Sequence, residues 1–155
     1  MYIIDRITKE HRLVRVLPVE KGDFNKLPVK RHSFNWKKLK NEFVIYKLSL
    51  SGDDDILGII ALKYYPAEER TEIKLLAVSA ENKGRNKRYE RIAGCLIAFA
   101  GRDAVRKYSR YPCLSLVPKT ELKKHYISKY GMIDGGWQLY LEDAPLFRLI
   151  NEYLS

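Results

Sequence analysis

Two arginines, Arg88 and Arg91, stand three residues apart at the start of an apolar run. Guanidinium forks at that spacing, one helical turn, can grip phosphate oxygens through charge-assisted hydrogen bonds. A second basic stretch, residues 26–40 (KLPVKRHSFNWKKLK), interleaves cations with Phe34 and Trp36, a composition suited to RNA or single strands. Other reactive side chains exclude more than they suggest. Cys95 and Cys113 are separated by 18 positions, with no companion His or Cys spacing. They form neither a disulfide framework nor a zinc site, and read as two buried thiols kept reduced. His11, His32 and His125 show no spacing for a triad or a metal, and no Ser-His-Asp or Cys-His arrangement can be built.

The elements that must carry these residues follow from periodicity. Residues 11–20 read as a strand interrupted late by Pro18, and residues 21–40 as short helices and loops. Residues 43–50 (FVIYKLSL) and 56–65 (ILGIIALKYY) are strand-like and flank the turn cluster Ser51-Gly52-Asp53-Asp54-Asp55, so they predict a β-hairpin. Residues 71–79 (TEIKLLAVS) complete a three-strand meander. From Tyr89 the apolar positions step by three and four (Tyr89, Ile92, Ala93, Leu96, Ile97, Ala100, Ala104), which predicts a helix with one buried face. Gly94, Ala98 and Gly101 add a small-residue stripe, expected to meet a close neighbour, the sheet or the cofactor, with the sheet favoured. Residues 112–117 read as a strand, Thr120 as the N-cap of a helix ended by Gly131, and residues 137–141 as a strand. Asp143 is expected to cap a last helix carrying Leu146, Leu149, Ile150, Tyr153 and Leu154 on one face.

With 155 residues and 46% hydrophobic side chains, the chain fits a single domain over residues 1–155 with a packed core. The longest apolar run, residues 95–100, is too short to span a bilayer, and charges at Asp5, Arg6, Lys9 and Glu10 break any signal core. A cytoplasmic protein is expected. A formal charge of +10 favours polyanionic partners: nucleic acid, acidic membrane or a phosphate-rich cofactor.

The order β, irregular helix, β-β-β, α, β, α, β, α resembles the GNAT superfamily of N-acetyltransferases, well over residues 72–137 and by element order before them. The resemblance implies an α/β (α+β) fold: a mixed, mostly antiparallel central sheet flanked by helices, here with an added C-terminal helix. It implies acetyl transfer from acetyl-CoA to an amine, without a metal. Glu72-Ile73-Lys74-Leu75-Leu76-Ala77-Val78 is similar to the family's central strand, whose end holds the pantetheine arm and thioester carbonyl through backbone groups. That role falls on Leu76, Ala77 and Val78. The family's phosphate loop reads Gln or Arg, two residues, Gly, one residue, then Gly or Ala, opening a helix whose amides face the pyrophosphate. Ungapped, Lys83, Asn86 and Arg88 occupy the key positions; with a loop longer by five residues, Arg88, Arg91 and Ala93 do, and this register keeps the helix phase. In it, Ile92 and Ala93 open the helix and Arg91 replaces a glycine.

By the same resemblance Glu72 is the base that takes the amine's proton, and Tyr126 the donor to the departing thiolate. Tyr126 lies in a stretch similar to Tyr-x-x-x-Gly-Phe, with Tyr130 as fallback. Lys119 stands where many relatives carry a cofactor-contacting asparagine. The implied acceptor is a small-molecule or protein amine, and residues 26–40 would favour an acidic one. The alternatives are a GNAT-like domain without activity that binds a partner or nucleotide, and a basic nucleic-acid-binding module. The C-terminal helix would cover a sheet edge or a second subunit, giving a homodimer.

Overall fold

The computed structural model describes residues 1–155. In chain order it contains β1 (Tyr2–Asp5), β2 (His11–Pro18), α1 (Val29–His32), β3 (Val44–Leu50), β4 (Gly58–Tyr65), β5 (Arg70–Val78), β6 (Tyr89–Glu90), α2 (Ile92–Lys107), β7 (Cys113–Leu116), α3 (Lys123–Tyr130), β8 (Ile133–Asp134), β9 (Leu139–Leu141) and α4 (Asp143–Leu154). Short 3-10 helices at Lys21–Lys26 and Trp36–Leu39 flank α1. The strands form one nine-stranded sheet in the order β6-β1-β2-β3-β4-β5-β7-β9-β8. β5 and β7 pair in parallel, as a strand–helix–strand crossover through α2 requires, while β1–β2, β1–β6, β2–β3, β7–β9 and β8–β9 are antiparallel.

Two compact units divide the chain: Met1–Ala61 with Leu75–Leu96, and Leu62–Lys74 with Ile97–Ser155. In the first, Leu27, Trp36, Ile45, Ile56, Ile59, Ala61 and Ala77 make an apolar cluster, with Phe24 and Phe34 packed against it. Trp36 is 1% exposed and its indole Nε1 donates to the His32 carbonyl at 2.8 Å. The aromatics of residues 26–40 are therefore core, and Trp36 offers no face on which a base could stack. Gly58 lets α2 reach the sheet: a Cβ there would lie 2.7 Å from Ile92 Cγ2 and 2.8 Å from Leu96 Cδ1. The second unit buries Leu114, Leu116, Leu139, Leu141, Leu146, Leu149 and Tyr153.

Several boundaries differ from expectation for physical reasons. The helix expected from Tyr89 begins at Ile92, because Tyr89 and Glu90 pair as β6 with Asp5 and Ile4 of β1. Thr120 opens a 3-10 turn, and α3 starts only at Lys123, with Leu122 at its N-cap; Gly131 ends it in the left-handed conformation, φ 70°. Glu142, not Asp143, precedes α4, and Asp143 is its first residue. The close neighbour of Gly101 is α4 and not the sheet: a Cβ there would meet Leu146 Cδ1 at 2.9 Å and Ile150 Cγ1 at 3.6 Å. No helix is long and apolar enough to cross a membrane.

Candidate functional site

In the first unit, the chain leaving β5 is tightly tied before it enters α2. Ser79 N–H donates to the Leu57 carbonyl (2.9 Å), Asn82 Nδ2 donates to Ser79 Oγ (3.0 Å), and Tyr89 N–H donates to Asn82 Oδ1 (2.8 Å). The buried Asn82 thus pins both ends of the excursion 83–88. Arg31 of α1 forks onto Asp55 at 2.7 and 2.9 Å and also pairs with Glu81, and its positive charge holds both carboxyls below the usual carboxylate range.

Arg88 lies outside any helix. Its Nε and Nη2 donate to the Asp5 carboxylate at 3.3 and 2.9 Å, and Asp5 is 1% exposed. Asp5 also accepts the Ile7 and Thr8 amides, and above all Arg88 lowers its pKa to about 2. Pulling Arg88 away would strand a buried carboxylate, which is strongly unfavourable. What Arg88 can offer a ligand is therefore its remaining Nη1 edge.

Arg91 has φ 84°, the left-handed backbone that glycine adopts without cost. Its guanidinium lies 4.2 Å from the centre of the Tyr2 ring and its Nε donates to the Tyr2 carbonyl at 3.3 Å. Directly after it α2 begins, with Cys95 N–H donating to the Arg91 carbonyl at 2.9 Å, so the amides of Ile92 and Ala93 lie in the first turn, which has no intrahelical acceptors. The Ile92 side chain is buried and Ala93 is half-buried. Leu76, Ala77 and Val78 close β5, with Ala77 buried in the apolar cluster. Burial pushes the Cys95 thiol up to about 11, and Cys113, half-buried in the second unit, is likewise pushed up to about 11; both are free, unreactive thiols at neutral pH.

In the second unit, Glu72 is 4% exposed, and both carboxylate oxygens are engaged. Arg70 Nη1 donates to Oε1 at 2.8 Å, and Lys74 Nζ approaches Oε2 at 2.5 Å. Arg70 also donates to Ser115 Oγ (2.9 Å) and Glu68 (2.7 Å) and stacks 4.1 Å from the Tyr65 ring centre. Register places Glu72, Ser115 and Tyr140 in one row across β5, β7 and β9. Arg70 and Lys74 escaped attention in the sequence, although residues 70, 72 and 74 alternate onto one face of a strand; Asp5 left no such signal, since only the β1–β6 pairing brings it to Arg88.

Tyr126, on α3, is half-buried in a ring cluster with His125 and Tyr130, each at 5.9 Å. Its hydroxyl makes no hydrogen bond within the protein, and burial pushes the phenol up, keeping it protonated at neutral pH. Tyr130 is buried and packs on Tyr153 of α4, 6.2 Å between centroids. No cluster of three His, Cys, Asp or Glu side chains is placed to hold a metal ion.

The same architecture recurs in solved acetyltransferases. The chain superposes with a TM-score of 0.63 on a spermidine/spermine N-acetyltransferase from Vibrio cholerae, at 13% identity, covering 88% of this chain and 98% of that one. The chain has the GNAT fold. A streptothricin acetyltransferase from Bacillus anthracis, described as putative and solved with acetyl coenzyme A, gives 0.62 at 15% identity (85% and 98% covered). A GNAT family acetyltransferase from Elizabethkingia anophelis with acetyl-CoA bound gives 0.58 at 17% (84% and 98% covered). No family model and no curated protein matches the sequence. In the second unit α4 packs closely on α2 at Gly101.

Proposed function

We propose that the protein transfers an acetyl group from acetyl-CoA to an amine. The observation that carries this reading is the fold it shares with acetyltransferases solved with acetyl-CoA. The residues fit such a donor: the strand end Leu76, Ala77 and Val78 leads through a pinned loop to a glycine-type backbone at Arg91 and the first-turn amides of α2. Amides at a helix start suit a pyrophosphate. In this reading Ile92 and Ala93 donate backbone hydrogen bonds to the phosphates, Arg88 contributes its Nη1 edge, and Arg91 adds charge. Backbone groups of Leu76, Ala77 and Val78 orient the pantetheine arm and polarise the thioester carbonyl.

The amine attacks the carbonyl carbon, the C–S bond breaks, and the amine's proton passes to Glu72. Each carboxylate oxygen has two lone-pair sites, so Glu72 can accept a proton while it keeps Arg70; Lys74, held by one ion pair and 29% exposed, is the cation that moves aside. Tyr126, protonated and without a hydrogen-bond partner, supplies the proton to the departing thiolate. The acceptor is a small-molecule or protein amine in a soluble, cytoplasmic setting, and the exposed lysines of residues 26–40 favour an acidic one.

The saturation of Glu72 by two cations favours one second reading, a GNAT fold that binds coenzyme A without turnover. Thiol release from acetyl-CoA, followed across a panel of small amines and N-terminal peptides, separates the two. Amine-dependent release that falls in Glu72→Gln supports transfer. Saturable coenzyme A binding with no release for any amine supports the second reading, and absence of binding sinks both.

A further inference from the structure

Lys74 is the one amine in contact with the Glu72 carboxylate. Its Nζ lies 2.5 Å from Oε2, while Oε1 accepts from Arg70. The Arg70 guanidinium also holds Glu68 and Ser115, and it stays protonated, so it is no nucleophile. Only 5% of the Glu72 side chain is exposed, against 29% for Lys74, so the amine is the accessible member of the pair. Lys63 provides the contrast. It is exposed and lies 5.6 Å from the centre of the Tyr65 ring, which Lys74 also approaches at 5.8 Å, but it pairs with no carboxylate.

A base that takes a proton from an acceptor amine must reach its nitrogen within hydrogen-bond distance. Lys74 Nζ already stands in such a position. Lys74 and Leu76 are alternate residues of β5, about 6.6 Å apart along the strand, a distance that a lysine's flexible four-carbon stem can cover. We propose that Lys74 is a resident acceptor, acetylated by the protein's own acetyl-CoA. The inference rests on the acetyl-transfer reading, with the thioester at the strand end that begins with Leu76 and Glu72 as the base. Glu72 raises the Lys74 pKa, so Nζ waits as an ammonium and depends on that carboxylate to lose a proton. Once Glu72 takes it, Nζ bonds to the thioester carbonyl carbon and the C–S bond breaks. A second proton leaves the nitrogen as the thiolate gains one. The product amide is uncharged, so acetylation frees Oε2 and leaves Glu72 with Arg70 alone.

The test is intact-mass and peptide analysis of the full chain after incubation with acetyl-CoA at neutral pH, with no amine added. One acetyl group per chain, on Lys74, is expected, at a rate per molecule that does not change on dilution. Lys63 should stay unmodified. Glu72→Gln should slow the modification about 100-fold or more while acetyl-CoA still binds. Lys74→Arg, which keeps the positive charge, should remove it. Label spread over Lys63 and other surface lysines, or equal labelling in Glu72→Gln, would overturn the inference. So would an unmodified Lys74 in a protein that binds acetyl-CoA. If that protein also releases thiol when an amine is added, the acetyl-transfer reading survives and only this inference falls; absence of acetyl-CoA binding overturns both.

Discussion

Arg88 and Tyr126 enter the account from the same resemblance, yet the two units of the protein treat them in opposite ways. Arg88 has spent most of its hydrogen-bonding capacity on Asp5 before any ligand arrives. Tyr126 keeps its hydroxyl uncommitted, in a ring cluster that fixes the aromatic plane and raises the phenol's pKa. The first arrangement is how a protein fixes a loop; the second is how it keeps a proton donor available. A motif assigns a residue type to a position, while the partners of its polar atoms decide what remains for chemistry.

The largest expected effect falls on Gly58, which lets the first turns of α2 pack closely on the sheet. Gly58→Val forces a side chain into Ile92 and Leu96, and overpacking of this kind costs about 1–3 kcal/mol. Acetyl-CoA affinity should fall with stability, because Ile92 and its amide shift; chemical denaturation and calorimetric titration measure both. Retained affinity in a destabilised variant would separate the start of α2 from the donor.

Arg88→Ala comes next and tests the contrast itself. The ordinary Asp carboxyl titrates near 3.8, and Asp5 is held at about 2. Stability from this group is full above about pH 4 and is lost as pH falls toward about 2. Arg88→Ala should lower Tm by several degrees at neutral pH and flatten the acid limb in that window, as should Asp5→Asn. An unchanged Tm and acid limb with lost acetyl-CoA binding would assign Arg88 to the ligand and dissolve the contrast.

Arg91→Gly should move stability by no more than about 1 kcal/mol, since relief of the left-handed backbone and loss of the stack on Tyr2 oppose each other. Tighter acetyl-CoA binding would mark Arg91 as an obstacle to backbone approach, weaker binding as a contributor of charge. The smallest structural effect belongs to Tyr126→Phe, within about 0.5 kcal/mol, because the ring stays and no internal hydrogen bond is lost. Turnover should fall on the order of tenfold or more with acetyl-CoA affinity kept. A fall in affinity matching the fall in turnover would place Tyr126 in binding instead.

Legibility in the sequence followed the reach of each signal. The β3–β4–β5 meander and the long α2 declare themselves through periods of two and 3.6 residues. Strands β1, β6 and β8, of two to four residues, exist only through their pairing and carry no period to read. The same limit hid the Arg88–Asp5 pair, whose members are 83 positions apart. The glycine-type turn before α2 was concealed because an arginine occupies it, at φ 84°. The aromatic residues of 26–40 misled in the opposite direction: Phe34 and Trp36 among lysines look like a stacking surface, and become core once Trp36 meets Ile45 and Ile59.

The most direct test of the central claim is calorimetric titration of the protein with acetyl-CoA, with ATP as a control for generic phosphate binding. The account predicts saturable one-to-one binding of acetyl-CoA, with ATP weaker, because strand end and helix start together suit a phosphopantetheine donor. No saturable binding of acetyl-CoA, or ATP bound equally well, would contradict it.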